Sequence, residues 1–178
     1  MTELMTKPSK NGEEPMEVRR VCFVCTGNTC RSPMAEAVAN ALAREPMEAM
    51  PASVRDCATP TVEAFSAGLY AFAGDPIAEN AVLALKAAGI KPTEGHDYRT
   101  HTAHTLTAEE VERYDLLVAM GDNHAMELLM RFPQAAQKIV RMPQAISDPY
   151  GGNLACYKAC LDEIVKGVRT LLFLEETV

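Results

Sequence analysis

The chain has 178 residues, 48% of them apolar, and a formal net charge of −7. That length fits one domain with a substantial core, and the negative balance argues against a nucleic-acid partner, which wants a basic face, and against a polybasic membrane anchor. No apolar run approaches the roughly 20 residues of a membrane-spanning helix, and the opening MTELMTKPSKNGEEPME lacks the apolar centre of a signal peptide.

Residues 1–18 therefore read as a disordered tail before a single domain at 19–178. A short apolar strand over 19–24 (RRVCFV) leads into a loop from Cys25 to Arg31. A helix over about 32–44 follows, with Pro33 in its first turn. Pro46, Pro51 and Pro60 break 46–60 into loop or interrupted helix. The next strand, 61–66, ends at Ala67-Gly68, and Asp75-Pro76 reads as the cap and first turn of a helix running to Gly89.

A His-rich loop (96–106) precedes a short helix opened by a capping box, Thr107 with Glu110. Strand 115–120 begins at Asp115, a structural hydrogen-bond acceptor. It is followed by a helix at 122–132, a strand at 138–142 and a long amphipathic helix at 153–175. The order β-α-β-α-α-β-α-β-α predicts an α/β three-layer sandwich, a four-stranded parallel sheet with helices on both faces. Such sheets bind ligands at the carboxyl ends of their strands, which is where Cys25 lies.

The chemistry concentrates in VCFVCTGNTCRSPMAEA, from Val21 to Ala37. A strand, a tight loop and a helix N-terminus make an anion cradle, because loop N–H groups and the helix dipole converge. A cysteine set there has its thiolate favoured and becomes a nucleophile, which makes Cys25 the candidate. The positions ringing a phosphoryl group are Thr26, Gly27, Asn28, Thr29, Cys30 and Ser32, and Arg31 offers a planar fork for its oxygens. Gly27 is expected to supply the permissive backbone, Asn28 to bond across the loop, and Ser32 to cap the helix and reach the Cys25 sulfur.

The other cysteines are Cys22, Cys30, Cys57, Cys156 and Cys160. With no export signal and a chain too large to need staples, they read as mostly reduced thiols of a cytoplasmic protein. Cys22 is expected in the core, as are Cys156 and Cys160, which sit at i,i+4 without metal-binding neighbours. His96, His104 and His124 read as surface residues. The His-rich loop lacks metal-ligand spacing or a carboxylate partner, so no metal is expected.

The run at Cys25 resembles the low-molecular-weight protein tyrosine phosphatase family, whose signature is C-x5-R-S-P in this strand–loop–helix setting, and the resemblance extends over residues 19–175. It implies a phosphorylated protein as substrate and a two-step reaction without metal or other cofactor. The thiolate forms a cysteinyl-phosphate while an aspartic acid protonates the leaving group, and the same aspartate then activates water. The family's aspartate lies in a downstream Asp-Pro pair, which implies Asp148 of Ser147-Asp148-Pro149-Tyr150-Gly151-Gly152 in preference to Asp75-Pro76. Pro149 holds Asp148 extended. The resemblance also implies that His101 bonds Asn28, and that Cys30 shelters Cys25 in a reversible disulfide.

Within the family, tyrosine phosphatases carry isoleucine or leucine two residues before the arginine. The protein-arginine phosphatases carry threonine in CTGNTCRSPMAE, which this chain matches with Thr29. A threonine hydroxyl can hydrogen-bond an attacking water or a guanidinium. Asp-Pro-Tyr-Gly-Gly resembles the arginine branch too, against Asp-Pro-Tyr-Tyr in the tyrosine branch. Tyr70, Phe72 and Tyr150 supply an aromatic wall that would suit phosphotyrosine. Phosphoarginine is the leading expectation and phosphotyrosine the alternative. A thioredoxin-coupled arsenate reductase needs two further cysteines downstream, and 58–155 contains none. A non-catalytic phosphopeptide-binding module is expected to lack one of Cys25, Arg31 and Asp148.

Overall fold

In the computed structural model, which describes residues 18–45 and 61–173, the central strand is β1 (Val18–Cys25). Val21 to Cys25 are buried in succession, as a parallel strand covered on both faces requires. It pairs in parallel with β2 (Thr61–Gly68) and β3 (Leu116–Ala119), and β3 with β4 (Ile139–Arg141), giving the order β2-β1-β3-β4. Val18, assigned above to the tail, opens β1. Residues 1–17, the 46–60 stretch and Cys57 lie outside the described residues.

Alternating side chains of β1 face two separate cores. Val21, Phe23 and Cys25 pack with α1 (Arg31–Leu42), α2 (Glu79–Ala87) and α5 (Leu154–Leu172). Cys22 and Val24 pack with α3 (Ala108–Arg113) and α4 (Asp122–Arg131). The three-layer α/β sandwich is therefore present. On the sheet's β2 edge, Asn40 of α1 covers exposed ladder groups: its amide donates to the Ala64 carbonyl (2.9 Å) and its carbonyl accepts from the Ala64 N–H (3.0 Å).

Local signals were overridden in two places. α2 begins at Glu79, with Ala78 in the cap position and no side-chain capping bond, so Asp75-Pro76 is not its start. The Asp75 carbonyl instead accepts from Ala103 N–H (2.8 Å) and Pro76 bridges Thr102, while Ala78 N–H donates to the Thr29 carbonyl (2.9 Å). Long-range pairing holds 75–78 extended and ties the head of α2 to the Cys25 loop. Cys30, not Ser32, occupies the cap position of α1, again without a side-chain capping bond. By contrast the Thr107–Glu110 capping box forms at α3, where both partners are local. No helix among the described residues is long and apolar enough to cross a membrane.

Candidate active site

Cys25 ends β1, with its Sγ 3.0 Å from the Ser32 hydroxyl and accepting the Asn28 N–H at 3.3 Å. Ser32 lies in the first turn of α1, so the sulfur sits where unpaired helix amides and the positive end of the dipole converge. Ser32 thus serves the sulfur rather than the helix cap, and its hydroxyl lies within reach of the Ala67 carbonyl (3.4 Å).

Asn28 is the junction of the loop. It is fully buried, and its φ of 56° is the left-handed conformation that was expected of Gly27. Asparagine tolerates that region because its short side chain can bond locally. Here Nδ2 donates to Ser32 Oγ (3.0 Å) and Ser66 Oγ (3.1 Å), and Oδ1 accepts from His104 N–H (3.1 Å). Its main-chain carbonyl meets His101 Nε2 at 2.8 Å, so His101 reaches the loop asparagine through the backbone. Gly68 closes the arrangement from below. A Cβ there would stand 2.8 Å from the Thr26 carbonyl oxygen and 3.2 Å from Asn28 Cβ.

The Ser66 hydroxyl donates to Glu36 Oε2 (2.6 Å), and Glu36 Oε1 holds His96 Nδ1 (3.0 Å), whose Nε2 meets Glu63 (3.3 Å). His96 is therefore no surface residue. Its side chain is largely buried between two carboxylates, and the Glu36 bond raises its pKa above the ordinary histidine value. His104, also expected without a carboxylate partner, bonds Glu110 (2.9 Å). His124 is another correction: it is buried at the start of α4, with Nε2 2.9 Å from Thr26 Oγ1. Burial first, and then the charge of Arg31, lower its pKa. Its Nδ1 has no partner among the described residues.

Across the loop, Arg31 Nη2 donates to Asp148 Oδ2 at 3.1 Å, joining residues 117 positions apart. Asp148 is the more open partner, 55% exposed against 11% for Arg31, and its other oxygen accepts the Tyr150 N–H (3.2 Å). Thr29 is half-buried, its hydroxyl 3.6 Å from Cys30 Sγ. Cys30 is buried, its sulfur 3.3 Å from the Tyr157 hydroxyl of α5. Tyr70, Phe72 and Tyr150 are 60%, 79% and 79% exposed. Tyr70 is tied to the loop by its N–H on the Thr26 carbonyl (2.9 Å). Cys22 and Cys160 are core thiols, and burial pushes Cys160 up to about 12. Cys156 is exposed, contrary to expectation: it stands in the first turn of α5 and is not among the residues of either core. Cys22, Cys25, Cys30, Cys156 and Cys160 are free, and among the described residues no three His, Cys, Asp or Glu side chains converge as metal ligands.

Reading the sequence missed Ser66, Glu36, Gly68 and His124. Position carried a signal for three of them. Ser66 and Gly68 close β2 beside Phe23 and Cys25, and His124 opens the helix after β3, so all lie at the strand ends where sites in such sheets gather.

The model of the family described as low molecular weight phosphotyrosine protein phosphatase matches residues 20–178. A protein-arginine-phosphatase of Geobacillus stearothermophilus is 32% identical over 152 residues, covering 82% of this chain and 88% of the relative. One of Bacillus subtilis is also 32% identical, over 158 residues, 85% of this chain and 93% of the relative. The crystal structure of a low molecular weight protein tyrosine phosphatase from T. tengcongensis superposes with a TM-score of 0.71 at 34% identity, covering 86% of this chain and 97% of that one. With the family model spanning the sheet, the Cys25 loop and Asp148, the chain belongs to the low molecular weight phosphotyrosine protein phosphatase family, cysteine-dependent phosphatases.

Proposed function

We propose that this phosphatase hydrolyses phosphorylated protein side chains through a cysteinyl-phosphate on Cys25, with Asp148 as the proton donor and phosphoarginine as the favoured substrate. The observation that carries the reading is the Arg31–Asp148 contact at 3.1 Å, over the same loop that hydrogen-bonds the Cys25 sulfur. In this reading a phosphoryl group entering the loop takes the Arg31 fork for its oxygens. Arg31 exchanges Asp148 for the phosphoryl group, and the freed carboxyl turns to the leaving group. Cys25 attacks phosphorus, held by the Ser32 hydroxyl and the Asn28 amide. Asp148 then takes a proton from the water that releases phosphate. Cys30, five residues away, is the partner for a protective disulfide, and the free thiols fit a cytoplasmic setting.

Three features support phosphoarginine. Thr29 places a hydroxyl beside the cradle where isoleucine would offer only bulk. The acid loop turns at Gly151 with φ +75°, a conformation free to glycine and strained for a bulky side chain such as the second tyrosine of Asp-Pro-Tyr-Tyr. The relatives from Geobacillus stearothermophilus and Bacillus subtilis are both protein-arginine-phosphatases. The second reading, phosphotyrosine, is favoured by the exposed ring wall of Tyr70, Phe72 and Tyr150.

The deciding experiment compares turnover of matched phosphoarginine and phosphotyrosine peptides by the wild type and Thr29→Ile, with Cys25→Ser as blank. Thr29→Ile is expected to shift kcat/KM toward the phosphotyrosine peptide by about tenfold, on the order of one hydrogen bond. An unchanged ratio rejects phosphoarginine selection by Thr29. Turnover by Cys25→Ser equal to wild type rejects the mechanism.

A further inference from the structure

We propose that Glu127 and Arg131 of α4 are positioning residues that fix which face Tyr70 turns to an incoming phosphopeptide. The inference rests on the reading of Tyr70 as a wall of the substrate mouth. An exposed tyrosine is ordinarily free to change rotamer, yet this one is held at both ends. Its hydroxyl donates to Glu127 Oε1 at 2.7 Å, and its N–H is fixed on the Thr26 carbonyl. The Arg131 guanidinium lies over the ring, 4.1 Å from its centroid, so one face is already taken. Arg131 is anchored in turn: Nε donates to the same Glu127 oxygen (2.6 Å) and Nη1 to the Leu69 carbonyl (2.7 Å).

The carboxylate that receives both donors is held below its ordinary range, by the Tyr70 hydroxyl first and Arg131 second, so it stays charged across the neutral range. Residues 127 and 131 stand one helical turn apart, and His124, three residues earlier, holds Thr26. One side of α4 thus grips both the catalytic loop and the ring beside it. A ring ordered in advance spares the substrate the entropy of ordering it on binding, so the clamp acts on KM for substrates long enough to touch Tyr70.

The test measures kcat and KM on a peptide carrying a single phosphoarginine, and on its phosphotyrosine counterpart, for Tyr70→Ala, Tyr70→Phe, Glu127→Gln, Arg131→Ala and Glu127→Gln/Tyr70→Phe. Glu127→Gln and Arg131→Ala are expected to raise KM roughly three- to tenfold with kcat within about twofold. Because Tyr70→Phe removes the same hydroxyl bond, the double variant should be no worse than the poorer single one. If Tyr70→Ala leaves KM unchanged on both peptides, the wall reading fails and the clamp falls with it. If Tyr70→Ala raises KM while Glu127→Gln and Arg131→Ala do not, the wall stands and the clamp is rejected. Additive effects of the double variant, or a loss confined to kcat, reject it as well.

Discussion

On the β2 side of the Cys25 loop, Asn28 leads through Ser66 and Glu36 to His96 and Glu63; on the α4 side, Thr26 is held by His124. Each flank uses a largely buried histidine, and the two are driven in opposite directions. His96 lies between two carboxylates and is favoured as imidazolium, with the Glu36 bond the leading cause. His124 is favoured neutral, by burial and then by the nearby Arg31 charge. The difference follows from what each flank faces. The β2 flank carries its own counter-charges, so a proton there is neutralised in place. The α4 flank borders Arg31, where a second cation would be repelled whenever no anion is bound. In the proposed mechanism the fixed charge offered to a phosphoryl group therefore comes from Arg31.

The largest effect is expected at Asn28, where the flanks meet the Cys25 sulfur. Asn28→Ala removes the bonds to Ser32, Ser66 and His104 and places alanine at φ 56°. Orphaning buried groups costs about 1–3 kcal/mol each, so kcat/KM should fall at least about 100-fold. Asn28→Gly restores the backbone conformation without the bonds and should recover part of the loss. Equal losses in the two variants would assign the whole effect to the side-chain bonds, and a loss below tenfold in Asn28→Ala would remove Asn28 as the junction.

Gly68→Ala pushes on the Cys25 loop from the end of β2. The new Cβ would meet the Thr26 carbonyl oxygen at 2.8 Å and Ala71 Cβ at 2.9 Å, and a backbone atom cannot swing aside. A loss of about 1–3 kcal/mol in urea unfolding is expected for such overpacking, with kcat down about tenfold as Thr26 moves. Stability lost at constant kcat would mean that the loop tolerates displacement from this side.

Much of this was legible in the sequence where partners are neighbours. Cys25, Arg31 and Ser32 lie within eight residues, and their cradle follows from strand, loop and helix order. The capping box at Thr107 was equally local. Asp148 became visible only through family resemblance, since 117 residues separate it from Arg31. The two histidines were misread for the same reason. His96 finds Glu36 at a separation of 60 residues and His124 finds Thr26 at 98, and no local pattern announces either pair. At Asp75-Pro76 the local pattern was real but lost to Ala103 and Thr29, whose backbone bonds hold the segment extended.

The opposed histidines give opposite pH signatures. His96 is raised in the fold, so its contribution is fully present below the unfolded value of about 6.5 and is lost as pH rises through the folded value. His124 is lowered, so its contribution is present above about 6.5 and is lost as pH falls toward the folded value. Urea unfolding from pH 5 to 9 should show the gap between wild type and His96→Gln shrinking with rising pH. The gap for His124→Gln should widen over the same range. Parallel curves would mean that neither imidazole differs in protonation between folded and unfolded chain.

The smallest effect belongs to the outer end of the β2 flank. Glu63 is 44% exposed and pairs with His96 at 3.3 Å and Arg20 at 3.8 Å, distances and exposure at which screened pairs contribute about 0–1 kcal/mol. Glu63→Gln should therefore lower stability by less than about 1 kcal/mol and leave kcat unchanged, while the pH at which the His96 contribution is lost moves down. Glu36→Gln, one link further in, disturbs both Ser66 and His96 and should lower kcat as well. If the two variants affect kcat alike, the surface carboxylate is as much a part of the loop's support as the buried one. The flank then acts as a single unit reaching from Asn28 to solvent. If only Glu36→Gln lowers kcat, the support ends at Glu36, and His96 serves to keep that carboxylate aimed at Ser66.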